Sequence, residues 1–141
     1  MQAVADLIAK HGGFARLKDH SLKLLAPPYQ PLHIEYIGDT RIGVRGGLVS
    51  VAHYAEANGD LCADPDLCLF VPAGKEADGG AWLPTEFTQH LMGVYTRVDF
   101  APDGYCETPR FLASLREFAA VFDANIREQF ADADAEPAER D

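Results

Sequence analysis

The chain has 141 residues, 48% hydrophobic and 24% charged, with 22 acidic against 12 basic side chains. That length suits a single domain, and the apolar fraction lies far above the range of disordered chains, so a real core is expected. A net charge of −10 argues against direct binding to nucleic acid or an anionic membrane, because phosphate contacts need a field of the opposite sign.

Gln2 to His11 carries Val4, Leu7, Ile8 and His11 at helical spacing, with Gly12-Gly13 as a C-terminal stop. Ser21 to Leu25 reads as a first strand ahead of the rigid Pro27-Pro28 corner. Leu32, Ile34 and Tyr36 alternate with His33 and Glu35, the period of a half-buried strand. A turn-rich stretch from Gly38 to Gly47 leads into the β-prone segment Leu48 to Glu56, and Asn58-Gly59 then supplies a strong hairpin signal. Leu67 to Val71 reads as a further strand, Pro72 to Gly80 as a loop, and Val94 to Phe100 as a strand paired with one in Trp82 to His90.

The last element is the clearest. Phe111, Leu115, Phe118, Phe122, Ile126 and Phe130 draw one apolar stripe along a helix, with Thr108 as N-cap and Pro109 at the first helical position. This order predicts an α+β fold. An antiparallel sheet of about four to six strands would be covered on one face by the long C-terminal helix and the short N-terminal one. The domain is expected over 1–131. Residues 132–141 hold five carboxylates, one Arg and no large apolar residue, so an acidic, mobile tail is expected there.

Charge is unevenly divided. Residues 1–50 carry six basic and four acidic side chains, a net of +2, whereas residues 51–141 carry six and eighteen, a net of −12. Cys62, Cys68 and Cys106 are odd in number and lack a usual zinc spacing, so free thiols in a reducing cytoplasm are expected. No leader pattern and no apolar run of about 18 residues is visible, which fits a cytoplasmic protein without a membrane span.

Common catalytic signatures are absent: no nucleophile elbow, phosphate loop, dinucleotide fingerprint or zincin pair occurs. No catalytic residue, metal ligand or cofactor site is assigned. The densest polar segment is His53-Tyr54-Ala55-Glu56-Ala57-Asn58-Gly59-Asp60, followed by Asp64-Pro65-Asp66. A two-residue turn at Asn58-Gly59 would pair Ala57 with Asp60, Glu56 with Leu61, Ala55 with Cys62 and His53 with Asp64. His53 shares a face with Val49, Val51 and Ala55, which favours a hydrogen-bonded core imidazole. Asp60 and Asp66 read as turn residues.

Val49-Ser50-Val51-Ala52-His53-Tyr54, with Glu56, Asn58-Gly59-Asp60 and Asp64-Pro65-Asp66, resembles the hallmark of a family of small uncharacterised proteins encoded on bacterial phages, plasmids and integrative elements. His11-Gly12-Gly13-Phe14, Pro31 to Ile37 and Phe118 to Asn125 fit the same pattern, so the resemblance spans about residues 10–130. A Gln commonly stands in that family where this chain has Ala57, and a Trp where it has Phe122. The resemblance implies a mobile-element setting and brings no activity or cofactor with it.

The leading expectation is a non-enzymatic interaction protein. Tyr54, Glu56, Asn58, Asp60, Asp64 and Asp66 would dock on a host protein with a basic surface, inhibiting a nucleic-acid-binding or defence complex. The alternatives are a small metal-dependent or acid–base enzyme using His53 with nearby carboxylates, and a homodimeric accessory protein pairing through a sheet edge.

Overall fold

The computed structural model describes residues 1–136. Two short helices, α1 (Gln2–Lys10) and α2 (Gly13–Asp19), precede the strands β1 (Leu22–Leu25), β2 (Leu32–Ile42), β3 (Val44–Ala57), β4 (Asp60–Pro72), β5 (Leu83–Gln89) and β6 (Val94–Arg97). The long helix α3 (Pro109–Phe130) follows, and a two-residue strand, β7 (Asp134–Ala135), closes the described chain. The order across the sheet is β6-β5-β4-β3-β2-β1-β7 with antiparallel pairing throughout. This is the expected α+β architecture.

One face of the sheet carries the core. Val4 and Ile8 of α1, Leu17 of α2, and Phe122, Ile126 and Phe130 of α3 pack on Leu24, Leu32, Ile34, Val49, Val51, Leu67, Leu69 and Val71. Removing these side chains from water is the dominant favourable contribution to folding. On α3, Phe118 is half-buried against Phe87, while Phe111 remains half-exposed and outside the core. Pro109 takes the first helical position, as its fixed φ favours. The Thr108 hydroxyl does not cap α3; it accepts a hydrogen bond from the Asp99 amide at 2.9 Å.

Three local differences from the sequence reading have physical causes. Gly12 and Gly13 both adopt positive φ, 108° and 78°, so the chain turns there and enters α2 at once. The turn-rich stretch continues β2 to Ile42 and starts β3 at Val44, with Gly43 at the bend. The expected tail is ordered over its first half. Leu24 pairs with Ala135, Ala133 is buried, and the Glu136 amide donates to the Lys23 carbonyl at 2.8 Å. Small residues suffice in that strand because the open edge of β1 supplies the backbone partners. Residues 137–141 of the expected tail lie outside the described residues.

Candidate functional site

The Asn58-Gly59 turn sets the register around the polar segment. Asn58 takes φ 53° and Gly59 takes φ 85°, and the ladder pairs Ala57 with Asp60, Glu56 with Leu61 and Ala55 with Cys62, as the turn predicts. The next step departs from it. Tyr54 pairs with Ala63 but Ala52 pairs with Asp66, so Asp64 and Pro65 together stand opposite His53. Pro65 has no amide to give to the ladder, and a bulge accommodates it.

That bulge separates His53 from the carboxylates. His53 faces the helices, its ring 5.9 Å from that of Phe122 and 5.7 Å from that of Phe130, and its Nδ1 lies 2.9 Å from the Pro31 carbonyl oxygen. Asp64 instead accepts a hydrogen bond from the Gln89 side-chain amide at 3.0 Å. The expected His53–Asp64 pair is therefore not formed. Asp66 is also reassigned, from a turn to the interior of β4, where it accepts from the Ser50 hydroxyl at 2.6 Å.

The face opposite the helices carries two registered rows. Glu35, Ser50, Cys68, Glu86 and Arg97 lie side by side across β2 to β6, and His33, Ala52, Asp66, Thr88 and Tyr95 form the next row. Tyr54 joins them, its ring edge-on to His33 with centroids 5.0 Å apart. Glu35 and Arg97 are exposed, and Asp66, Cys68, Glu86 and Tyr54 are half-buried. Burial and the nearby Asp66, Glu86 and Glu35 carboxylates push the Cys68 thiol up to about 12. Burial, then Asp66 and Glu35, likewise raise the Tyr54 phenol. Both groups stay neutral at physiological pH, so the face offers hydrogen-bond donors among carboxylates and no thiolate nucleophile.

Glu56 continues the same face toward the hairpin tip, where Asn58 and Asp60 are exposed. The turn between β5 and β6 lies beside it, held to β4 where His90 Nδ1 accepts from the Ala63 amide at 3.1 Å. This end of the sheet presents Leu61 at 74% exposure, Met92 at 70% and Tyr95 at 60%. Of the six expected interaction residues, Tyr54, Glu56 and Asp66 share the open face, Asn58 and Asp60 stand at the tip, and Asp64 turns to Gln89 instead. Glu56, Asn58 and Asp60 are free at the tip, whereas Asp64 and Asp66 are committed to internal hydrogen bonds. The sequence reading missed the contribution of Glu35 and Glu86, which only cross-strand register brings alongside Asp66.

A second feature lies at the opposite end of the sheet, on the helix side. A cleft of about 660 Å³ opens between α2, the β2–β3 hairpin and the loop after β4. Phe14, Lys18, Tyr36, Arg41, Arg45 and Gly47 line it, with Asp39 and Glu76. The Tyr36 hydroxyl donates to Asp39, and the Lys18 ammonium stands 5.1 Å from the Tyr36 ring centroid. Burial and the Asp39 contact raise the Tyr36 phenol to about 12, so it remains a donor. The signal for this cleft in the sequence was the net +2 of residues 1–50.

Among the described residues, no three His, Cys, Asp or Glu side chains converge as a metal site. No described helix is long and apolar enough to cross a membrane. The molecule is thus defined as an α+β protein: a seven-stranded antiparallel sheet with helices on one side and, on the other, a face that is polar across its middle rows and buries Phe70 toward the β2–β3 end. The chain belongs to the family described as a domain of unknown function, DUF6908, whose profile matches residues 2–131. No curated protein and no solved structure shows significant similarity to it.

Proposed function

We propose that this protein acts as a non-enzymatic interaction module, and that its helix-free sheet face and the adjoining hairpin tip dock on a basic surface of a host protein. The observation that carries this reading is the registered placement of Glu35, Asp66 and Glu86 on one open face, continuous with Glu56 and the exposed Asp60. Carboxylates held in fixed positions on a rigid sheet give electrostatic complementarity, which speeds encounter and sets orientation. Leu61, Met92 and Tyr95 beside them supply apolar area that charge alone would lack. The resemblance to proteins of phages, plasmids and integrative elements points to a cytoplasmic host complex that normally holds nucleic acid, which an acidic face would occupy in its place.

His53 packs under α3 and lines neither the cleft nor the acidic face, so the geometry does not favour the acid–base alternative. Self-association keeps one specific support, the outer edge of β6 with Tyr95 exposed on it.

The test is affinity capture from host lysate at low and high salt, with nuclease present, using the wild type and a Glu35→Lys/Asp60→Lys/Glu86→Lys variant. A specific partner retained at low salt, lost at high salt and lost by the variant is expected. A partner held equally by the variant, or at both salt concentrations, contradicts the reading. Light scattering of the purified protein separates it from self-pairing: a dimer abolished by a charge placed at Tyr95 would favour the edge instead.

A further inference from the structure

We infer that the cleft between α2 and the β2–β3 hairpin is a binding site for a phosphorylated small molecule, its phosphate held by Arg41, Arg45 and Lys18 and its organic part lying against Tyr36 and Phe14. This is independent of the acidic face and lies at the other end of the sheet.

The register of the hairpin carries the inference. Arg41 and Arg45 are direct partners across β2 and β3. Side chains so placed start only about 5 Å apart at Cβ, and like charges there are destabilising. Both arginines are exposed, so solvent screens much of the repulsion, and a bound anion would remove the rest. Among the described residues neither arginine, nor Lys18, has a carboxylate within ion-pairing distance; the ion pairs present are Lys23–Glu136, Arg97–Asp99 and Arg127–Asp6. Asp39, the acidic group next in the hairpin, is engaged by the Tyr36 hydroxyl. Three cations without a direct ion-pair partner among the described residues are thus gathered in one cleft, against the two carboxylates Asp39 and Glu76, in a chain whose net charge is −10.

The shape fits the same class of ligand. A volume of about 660 Å³ falls within the usual range for small-molecule sites. Tyr36 forms the floor: its ring occupies the space that a side chain at Gly47 would take. Phe14, edge-on to Trp82 with centroids 6.0 Å apart, fixes one wall. Two guanidinium forks match phosphate oxygens bidentately and an ammonium adds a point charge, which suits a polyvalent oxyanion better than a single carboxylate. Glu76 and Asp39 also line the cleft, Asp39 two residues from Arg41 and engaged by the Tyr36 hydroxyl, so they limit how much negative charge the site accepts. The field of the whole protein repels a long polyanion while the cleft accepts a short one, so the ligand is a free phosphorylated molecule and not a nucleic-acid strand.

The experiment is calorimetric titration of the full chain with ADP, inorganic pyrophosphate, adenosine and a single-stranded oligonucleotide, at low and high salt. ADP is expected to bind, pyrophosphate to bind more weakly, and adenosine and the oligonucleotide not to bind. Arg41→Gln and Arg45→Gln should each weaken ADP binding about tenfold or more, the scale of one charged hydrogen bond, while Arg116→Gln on the exposed side of α3 should leave it unchanged. Without ligand, the two cleft variants should melt at or above the wild-type temperature, because each relieves the like-charge pair. Absence of binding by any phosphate probe up to about 5 mM, equal binding of adenosine and ADP, tighter binding of the oligonucleotide, or a lowered ligand-free melting temperature in both variants would each overturn the assignment.

Discussion

The Asp123 carboxylate, in the middle of α3, accepts a hydrogen bond from the Ala3 amide in the first turn of α1, at 3.0 Å to one oxygen and 3.3 Å to the other. The first amides of a helix have no partner within it, and Met1 makes no side-chain cap. Asp123 therefore caps α1 from another helix and places a negative charge at its positive end. Asp123→Ala should destabilise the fold by about 1 kcal/mol, the usual worth of a cap, and Asp123→Asn by less. Urea denaturation of both variants decides it; equal midpoints for wild type and Asp123→Ala would refute the capping role.

Two histidines should make stability depend on pH. Burial, with Lys10 and Arg16, holds the His11 imidazole below its ordinary value of 6.5, and burial, with Lys23 and His53, does the same for His33. The unfolded chain therefore binds protons at these sites more readily than the folded one. Their stabilising contribution is present above pH 6.5 and is lost as pH falls through the lowered folded values. Denaturation midpoints should fall between about pH 7.5 and pH 5, and a His11→Gln/His33→Gln variant should show a shallower fall. An identical slope in the variant would remove these residues from the explanation.

Cys68 should be the slowest cysteine to react. Its thiol is raised to about 12 by burial and the carboxylates around it, so the thiolate that attacks an alkylating reagent is scarce. Mass spectrometry after brief iodoacetamide treatment near pH 8 should find Cys68 unmodified in the folded protein and modified after unfolding. Equal labelling in both states would contradict the described environment of the open face.

Gly47→Ala should be costly despite its small size. The new Cβ would run into the Tyr36 ring, which in turn anchors Asp39. Overpacking of this kind typically destabilises by about 1–3 kcal/mol. A thermal melt would show it, and an unchanged melting temperature would mean that the Tyr36 ring can move aside.

Much of the fold was legible in the sequence because it follows from local rules. Asn58-Gly59 fixed the turn and thus three pairs of the hairpin, and the α3 stripe identified the residues that now face the sheet from Leu115 to Phe130. The remainder depended on partners distant in the chain. An extra residue opposite His53 is invisible to alternation, since the strand keeps its period on either side of the bulge. Only the backbone of β1 makes a strand of Asp134–Ala135. The candidate sites were split in the same way. Glu56, Asn58 and Asp60 could be read from one short segment, but the acidic row and the Arg41–Arg45 pair exist only once strands are laid in register.

The sheet is built as a meander in which β1 to β6 each pair with the strand before or after them in sequence, and β7 alone breaks that order. During synthesis from the N-terminus, six strands can therefore find their neighbours soon after they emerge. The outer edge of β1 must wait for the whole of α3 and the residues beyond it. Until Asp134–Ala135 arrives, that edge is a vacant seat for any extended chain nearby, including another copy of this one. The short segment thus acts as a latch on that edge, held by the Asp134–Ala135 ladder and by the Lys23–Glu136 ion pair.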